Sequence, residues 1–235
     1  MNIGILGTGM VGQALAGKLL ELGHSVVVGT RDVSATLANT QPNAMGLPPY
    51  SAWQKQHPRV KLATFWDAAA HGELLMNCTA GTLSLAALKA AGEQNLNGKI
   101  LIDVSNPLDF SKGFPPSLTV CNTDSLGEQI QRAFPRVKVV KTLNTTNAFV
   151  MVNPAAVPGD HNLFLNGDDE GAKREVRKFL VSLGWKESNI IDLGDITTAR
   201  GTEQLLPIWV RLYGSLQNPM FNFHIVVGAQ PKGQN

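Results

Sequence analysis

Runs of apolar, often β-branched residues alternate along this chain with segments in which apolar side chains recur at helical spacing. Residues 2–6 form the first run, continuous enough to be a strand covered on both faces. Val11, Leu15, Leu19 and Leu22 then keep to one helical face, and Gly23 stands where a C-cap is wanted. Further strands are predicted at residues 25–29, 60–64, 74–78, 99–104 and 137–141. Helices are predicted between them: at 33–37, at 67–71, along the face of Leu83, Ala87 and Ala90 or Ala91, and at 126–134 behind a Ser125…Glu128 capping box. Two stretches break the rhythm. Residues 39–60 hold the loop formers Asn39, Gln41, Pro42, Asn43, Gly46, Pro48 and Pro49, then a short helix with Tyr50 and Trp53. That excursion is either a packed cover on the sheet or a flap over a ligand. Residues 108–120, with Gly113, Pro115 and Pro116, read as a second loop.

Strand–helix alternation of this kind predicts an α/β fold, a doubly wound parallel sheet. Beyond residue 143 the pattern changes. A strand is predicted at 161–165, then a helix capped by Asp168 and ended by Gly184, with Ala172, Val176, Phe179 or Leu180, and Leu183 inward. Another strand follows at 189–193. The last helix carries Leu205, Trp209, Leu212 and Leu216 on one stripe and Leu206, Val210 and Tyr213 on a second, with Pro207 expected to kink it. Two apolar stripes imply burial on two sides, as intradomain core or as a subunit interface plus a pocket wall.

The turn after the first strand reads Gly7-Thr8-Gly9-Met10-Val11-Gly12 and opens the first helix, the context that gives G-x-G-x-x-G its meaning. Gly7 allows the tight turn, Gly9 lets a pyrophosphate approach the backbone, and Gly12 lets the helix pack close to the sheet. The helix N-terminus aims free N–H groups at the phosphates. A dinucleotide is therefore expected here. The second strand ends in Gly29-Thr30-Arg31-Asp32. An arginine at this tip suits the 2′-phosphate of NADP, and Thr30 adds a hydroxyl. Asp32 leaves a second reading, a carboxylate near the ribose of NAD, unless it caps the short helix that follows. Two later strand ends, Cys78-Thr79-Ala80 and Ser105-Asn106-Pro107, should face the same side of the sheet.

Composition narrows the function further. An apolar fraction of 43% over 235 residues supplies a sizeable core. A net charge of +2, without a basic run interleaved with aromatics, argues against nucleic acid. No apolar run is long enough to span a bilayer, so no membrane partner is expected. Cys78 and Cys121 lack metal-ligand spacing and read as free thiols of a reducing cytoplasm; no metal is expected. Met1 leads straight into the first strand, leaving no room for a signal peptide, so a cytoplasmic location is expected.

Taken in order, the glycine turn, Gly29-Thr30-Arg31, Ser105-Asn106-Pro107-Leu108, Lys141-Thr142-Leu143-Asn144-Thr145, Gly167-Asp168-Asp169 and residues 192–213 resemble the F420-dependent NADP oxidoreductases. The nucleotide-binding unit is also similar to that of the cytoplasmic domain of membrane ferric reductases. The resemblance implies a Rossmann-type domain, 1–143, and a small C-terminal α/β domain, 144–235, that forms the acceptor cleft and a homodimer contact. It implies NADP(H) on the glycine turn with Thr30 and Arg31 at the 2′-phosphate. A second cofactor, coenzyme F420 or a flavin, would meet Asn144, Thr145, Thr146, Asn147 and Ala148. The excursion at 39–59 and the loop at 109–119 are longer than the family pattern, which bears on the acceptor pocket.

Hydride transfer between stacked rings needs orientation rather than a side-chain acid or base. Thr79, Ser105, Asn106, Asn144 and Thr145 suit that role, and no catalytic acid or base is assigned. Lys141 reads as a solvated strand-end charge and His161 as a turn residue. Two other functions stay open: an NADP-dependent reductase of a carbonyl or imine, and a non-catalytic NADP(H) sensor.

Overall fold

In the computed structural model, which describes residues 1–42 and 46–229, the opening apolar run is strand β1 (Asn2–Leu6), buried from Ile3 onward. Through the glycine turn it enters helix α1 (Met10–Glu21), which buries Leu15, Ala16 and Leu19. The chain returns parallel to β1 as β2 (Ser25–Thr30). Next come α2 (Val33–Ala38), α3 (Tyr50–Gln56), β3 (Lys61–Thr64), α4 (Phe65–His71) and β4 (Leu74–Asn77). They are followed by α5 (Gly81–Ala91), α6 (Glu93–Leu96) and β5 (Ile100–Asp103). The second expected loop contains a small antiparallel pair, β6 (Leu108–Asp109) and β7 (Ser117–Leu118). The remainder is α7 (Leu126–Ala133), β8 (Lys138–Thr142), α8 (Ala148–Val152), β9 (Leu163–Asn166), α9 (Glu170–Ser182), β10 (Ile190–Asp192) and α10 (Ala199–Leu216).

Eight strands make one sheet in the order β10-β9-β8-β5-β4-β1-β2-β3. Six of them, from β8 to β3 in that order, run parallel and form the expected doubly wound Rossmann-type sheet. The sheet is mixed at one edge, because β9 pairs antiparallel to β8 and β10 follows β9 in parallel. The C-terminal part thus extends the same sheet. Ile3, Leu15, Val140, Leu163, Val176 and Trp185 belong to one buried apolar cluster, so residues on both sides of position 143 share a core.

Several local expectations shift by a residue or more. The cap of α9 is Asp169, whose carboxylate accepts the Ala172 N–H at 2.7 Å; Asp168 instead accepts the Ile196 N–H at 3.0 Å. Helix α4 starts at Phe65 because Thr64 caps it. Leu206 and Val210 of α10 are core, while Trp209 on the other stripe stacks on Phe221 of the chain's own tail at 5.2 Å. Ile208 and Leu216 of that helix stay exposed. Of the 39–60 excursion, residues 43–45, Asn43 included, lie outside the described residues. Among the described residues no helix is long and apolar enough to cross a membrane.

Candidate functional site

The parallel strands end on one edge, and the chain order reverses between β1 and β4, where sheets of this kind leave a crevice. The three glycines of the turn have separate jobs there. Gly7 has φ +121°, and a Cβ on it would lie 2.6 Å from the Cys78 carbonyl oxygen across the switch point. A Cβ on Gly12 would collide with the Gly7 carbonyl oxygen, so this glycine is what lets α1 sit on the turn. A Cβ on Gly9 would meet nothing within 4 Å, so Gly9 faces open space.

That space divides into two cavities around Gly9, Thr30 and Arg31. The larger, about 980 Å³, has a floor of Thr8, Gly9, Met10, Thr30 and Arg31 and a wall of Leu47, Pro48, Pro49, Tyr50, Trp53 and Phe149. The excursion therefore walls the cleft through α3, where Tyr50 and Trp53 pack with ring centroids 5.3 Å apart. The smaller cavity, about 400 Å³, runs from Gly7 and Thr30 to Cys78, Thr79 and Ala80. Val11, Gly12, Ser105, Asn106, Pro107, Asn144, Thr145, Thr146 and Ala148 line neither cavity. Val11 is packed against the core, so its contribution to a ligand is limited to the backbone N–H of the first helical turn.

At the tip of β2, the Asp32 carboxylate accepts the Ala35 N–H at 2.9 Å and caps α2, which resolves its role. Arg31 is exposed and has no hydrogen bond or ion pair among the described residues. The Thr30 and Thr36 hydroxyls lie 2.8 Å apart, and Thr36 also donates to the Asp32 carbonyl at 2.7 Å. Thr36 lines both cavities and escaped the sequence reading, although its place one turn into α2 beside a Thr-Arg tip was the available signal.

The ends of β4, β5 and β8 are tied by a buried polar network. Lys141 is not a solvated charge: it is fully buried. Its ammonium donates to Asp103 Oδ2 at 2.8 Å, to the Ser105 carbonyl at 2.6 Å and to Glu203 Oε1 at 2.8 Å. Burial on its own pulls the lysine pKa down, but the charges of Asp103 and Glu203 and their hydrogen bonds raise it above the usual value. Asp103 Oδ1 accepts from Asn77 Nδ2 at 2.9 Å and from the Ser105 hydroxyl at 2.7 Å. Glu203 accepts the Leu126 and Gly127 N–H groups at 2.9 and 3.0 Å, the first two of α7. Asp103 and Glu203 carried no sequence signal. Burial, with the Asp103 charge behind it, drives the Cys78 pKa far up, which makes an inert thiol. His161 is buried against the Pro154 carbonyl and Trp185, away from both cavities.

The turn after β8 is held in an unusual backbone. Leu143, fully buried, has φ +64°, a conformation that costs a branched side chain about 1–2 kcal/mol and persists because its surroundings fix it. It presents Asn144 to Asn106, with Asn144 Nδ2 donating to Asn106 Oδ1 at 3.0 Å. Asn144 Oδ1 and the hydroxyls of Thr145 and Thr146 are buried without a partner. Ala148, an expected cleft residue, is 2% exposed and packed inward; its neighbour Phe149 is 54% exposed and lines the large cavity instead.

These residues fit a dinucleotide with a 2′-phosphate. Gly9 leaves room at the backbone, Arg31 has an unspent guanidinium, and Asn144 Oδ1 with the Thr145 and Thr146 hydroxyls, outside both cavities, are unspent polar groups at the turn after β8. Residues 2–107 match the family described as coenzyme F420-dependent NADP oxidoreductase. A structure from Arthrobacter sp. FB24, named as a candidate F420-dependent NADP reductase, is 57% identical over 97% of this chain and 100% of its own, with a TM-score of 0.92. The rat metalloreductase STEAP3 is 28% identical over 212 residues, 88% of this chain, which spans 38% of that protein's length. An imine reductase from Myxococcus stipitatus, 18% identical over 92% of this chain and 63% of its own, shares the fold with a TM-score of 0.58.

Proposed function

The chain belongs to the F420-dependent NADP oxidoreductases, and from that premise we propose that it transfers hydride between NADP(H) and a planar ring acceptor, coenzyme F420 first and a flavin second. When bound, NADPH supplies the hydride and the acceptor ring takes it up with a proton from water. The chain's own residues bind and orient. Arg31 and Thr30 meet the 2′-phosphate, Gly9 and the N–H groups of the first turn of α1 meet the pyrophosphate, and Thr145 and Thr146 meet the nicotinamide carboxamide. Phe149 at the cavity mouth offers the acceptor ring a face to stack on.

The observation that carries this reading is the chemistry of the strand ends. Asn106, Asn144, Thr145 and Thr146 offer orienting amides and hydroxyls, while Asp103, Lys141 and Glu203 are locked in ion pairs beneath them. Such a site suits transfer from ring to ring better than reduction of a carbonyl, which wants a positioned proton donor. The test is Phe149→Ala. Acceptor reduction should fall about tenfold while NADPH affinity stays within about threefold, because the ring touches only the second ligand. Equal loss of both, or of neither, places the acceptor elsewhere. A homodimer through α10 and a cytoplasmic setting belong to the same proposal. The motive for the dimer is the exposed pair Ile208 and Leu216, and a monomer mass in light scattering rejects it.

A further inference from the structure

Below the turns at 105–107 and 144–146 lie three buried charges that bind nothing in the proposed reaction. We propose that the Asp103–Lys141–Glu203 cluster carries a net negative charge which favours oxidised, cationic nicotinamide over the reduced, neutral ring, and so makes bound NADPH a stronger hydride donor. The inference rests on the reading above, in which the nicotinamide carboxamide lies at Thr145 and Thr146, on the turn after β8.

The charge state follows from the partners. Every contact to Asp103 is a donor: Asn77 Nδ2, the N–H and hydroxyl of Ser105, and the Lys141 ammonium. Every contact to Glu203 is a donor too: the Leu126 and Gly127 N–H groups and Lys141. A proton on either carboxyl would point at a donor, so both are ionised. Two carboxylates and one ammonium leave one negative charge, with all three side chains at most 1% exposed. The α7 N-terminus screens Glu203. Of the two carboxylates of the cluster, Asp103 is the one tied to the turn after β5, accepting from the Ser105 hydroxyl at 2.7 Å.

Loss of hydride, a proton with two electrons that pass to the acceptor ring, changes the nicotinamide from neutral to cationic. A unit charge about 10 Å away at an effective dielectric of about 20 shifts that balance by about tenfold, and partial screening leaves about three- to tenfold. A neutral pair of one acid and one lysine would hold the same turns without this bias, which separates the electrostatic role from a structural one.

The experiment measures dissociation constants of NADP+ and NADPH separately, by calorimetry, for the parent, Asp103→Asn and Glu203→Gln. Asp192→Asn, which takes a carboxylate from the Lys173 ion pair on β10, is the control. In Asp103→Asn the amide oxygen still accepts from Ser105, and Lys141 keeps Glu203. Its preference should move toward NADPH by about three- to tenfold. Glu203→Gln should move the same way by less, and it serves as the second variant if Asp103→Asn does not fold; the control ratio should stay within about twofold. Weakening of both forms in equal proportion, with the ratio unchanged, overturns the inference and leaves the binding site intact. A parent that binds neither form overturns the site reading, and the inference with it.

Discussion

Asn106 and Asn144 hold one another across the ends of β5 and β8. Asn144 Nδ2 donates to Asn106 Oδ1 at 3.0 Å, and Asn106 Nδ2 donates to the Asn144 carbonyl at 2.8 Å. The pair fixes the spacing of the two turns. Asn106→Ala removes both bonds and should cost about 1–3 kcal/mol of stability, read from urea unfolding. A loss below about 0.5 kcal/mol would mean that the turns are held by the Lys141 network and the Asn144 bond to the Thr202 carbonyl instead.

Gly9 and Gly12 lie in one motif but should fail differently. Gly9→Val enters open space, so circular dichroism should stay native while NADPH binding disappears. Gly12→Val forces its Cβ onto the Gly7 carbonyl, so folding itself should suffer, by more than about 2 kcal/mol. Normal NADPH affinity in a folded Gly9→Val protein removes the glycine turn from the phosphate site.

Arg31 has no partner among the described residues, so Arg31→Ala should leave the apoprotein's stability within about 0.5 kcal/mol. NADP(H) affinity should fall by about 1.5–3 kcal/mol, the loss of a charge-assisted contact, and NAD(H) affinity should hardly change. Titration of both cofactors against both proteins measures this. Parallel losses for NADP(H) and NAD(H) would show that Arg31 does not read the 2′-phosphate.

The parts of the site that depend on backbone conformation were legible in the sequence. Gly7 and Gly12 announce the turn because the φ of the first and the close contact of the second exclude a side chain, while Gly9 faces open space, and Thr30-Arg31 lies at the strand tip where the sequence places it. What depends on distant pairing was not legible. Lys141 alternates with apolar neighbours and looks like a solvated charge until Glu203, on the last helix, folds against it. The antiparallel turn from β8 to β9 was hidden for the same reason, since nothing local in 161–165 encodes the direction of its partner. Ala148 and Phe149 were exchanged because helical phase in a five-residue helix is too short to read.

Acid should weaken one identifiable contact. The Arg132 guanidinium forks onto Asp124 at 2.9 and 2.8 Å and, with a smaller bond from Gln129, lowers its pKa to about 2. A depressed carboxylate contributes its stability in full above the unfolded value, about 3.9, and loses it as the pH falls through about 2. The Arg132 side chain is 59% exposed, so solvent screening limits the contribution to about 0.5–1 kcal/mol. Arg132→Gln should therefore lower stability at pH 7 by that amount and flatten the stability curve between about pH 4 and 2. Parent and variant curves that stay parallel across this window contradict the assignment.

Hydride transfer to a ring is tested most directly by mixing the parent protein and NADPH anaerobically with F420, FMN, FAD and ferric chelates in parallel. The expected result is that F420, or failing it a flavin, is reduced with one NADPH consumed per ring, faster than any ferric chelate alone. NADPH that binds with Arg31-dependent affinity while no ring is reduced would contradict the proposed function and identify the chain as a cofactor sensor.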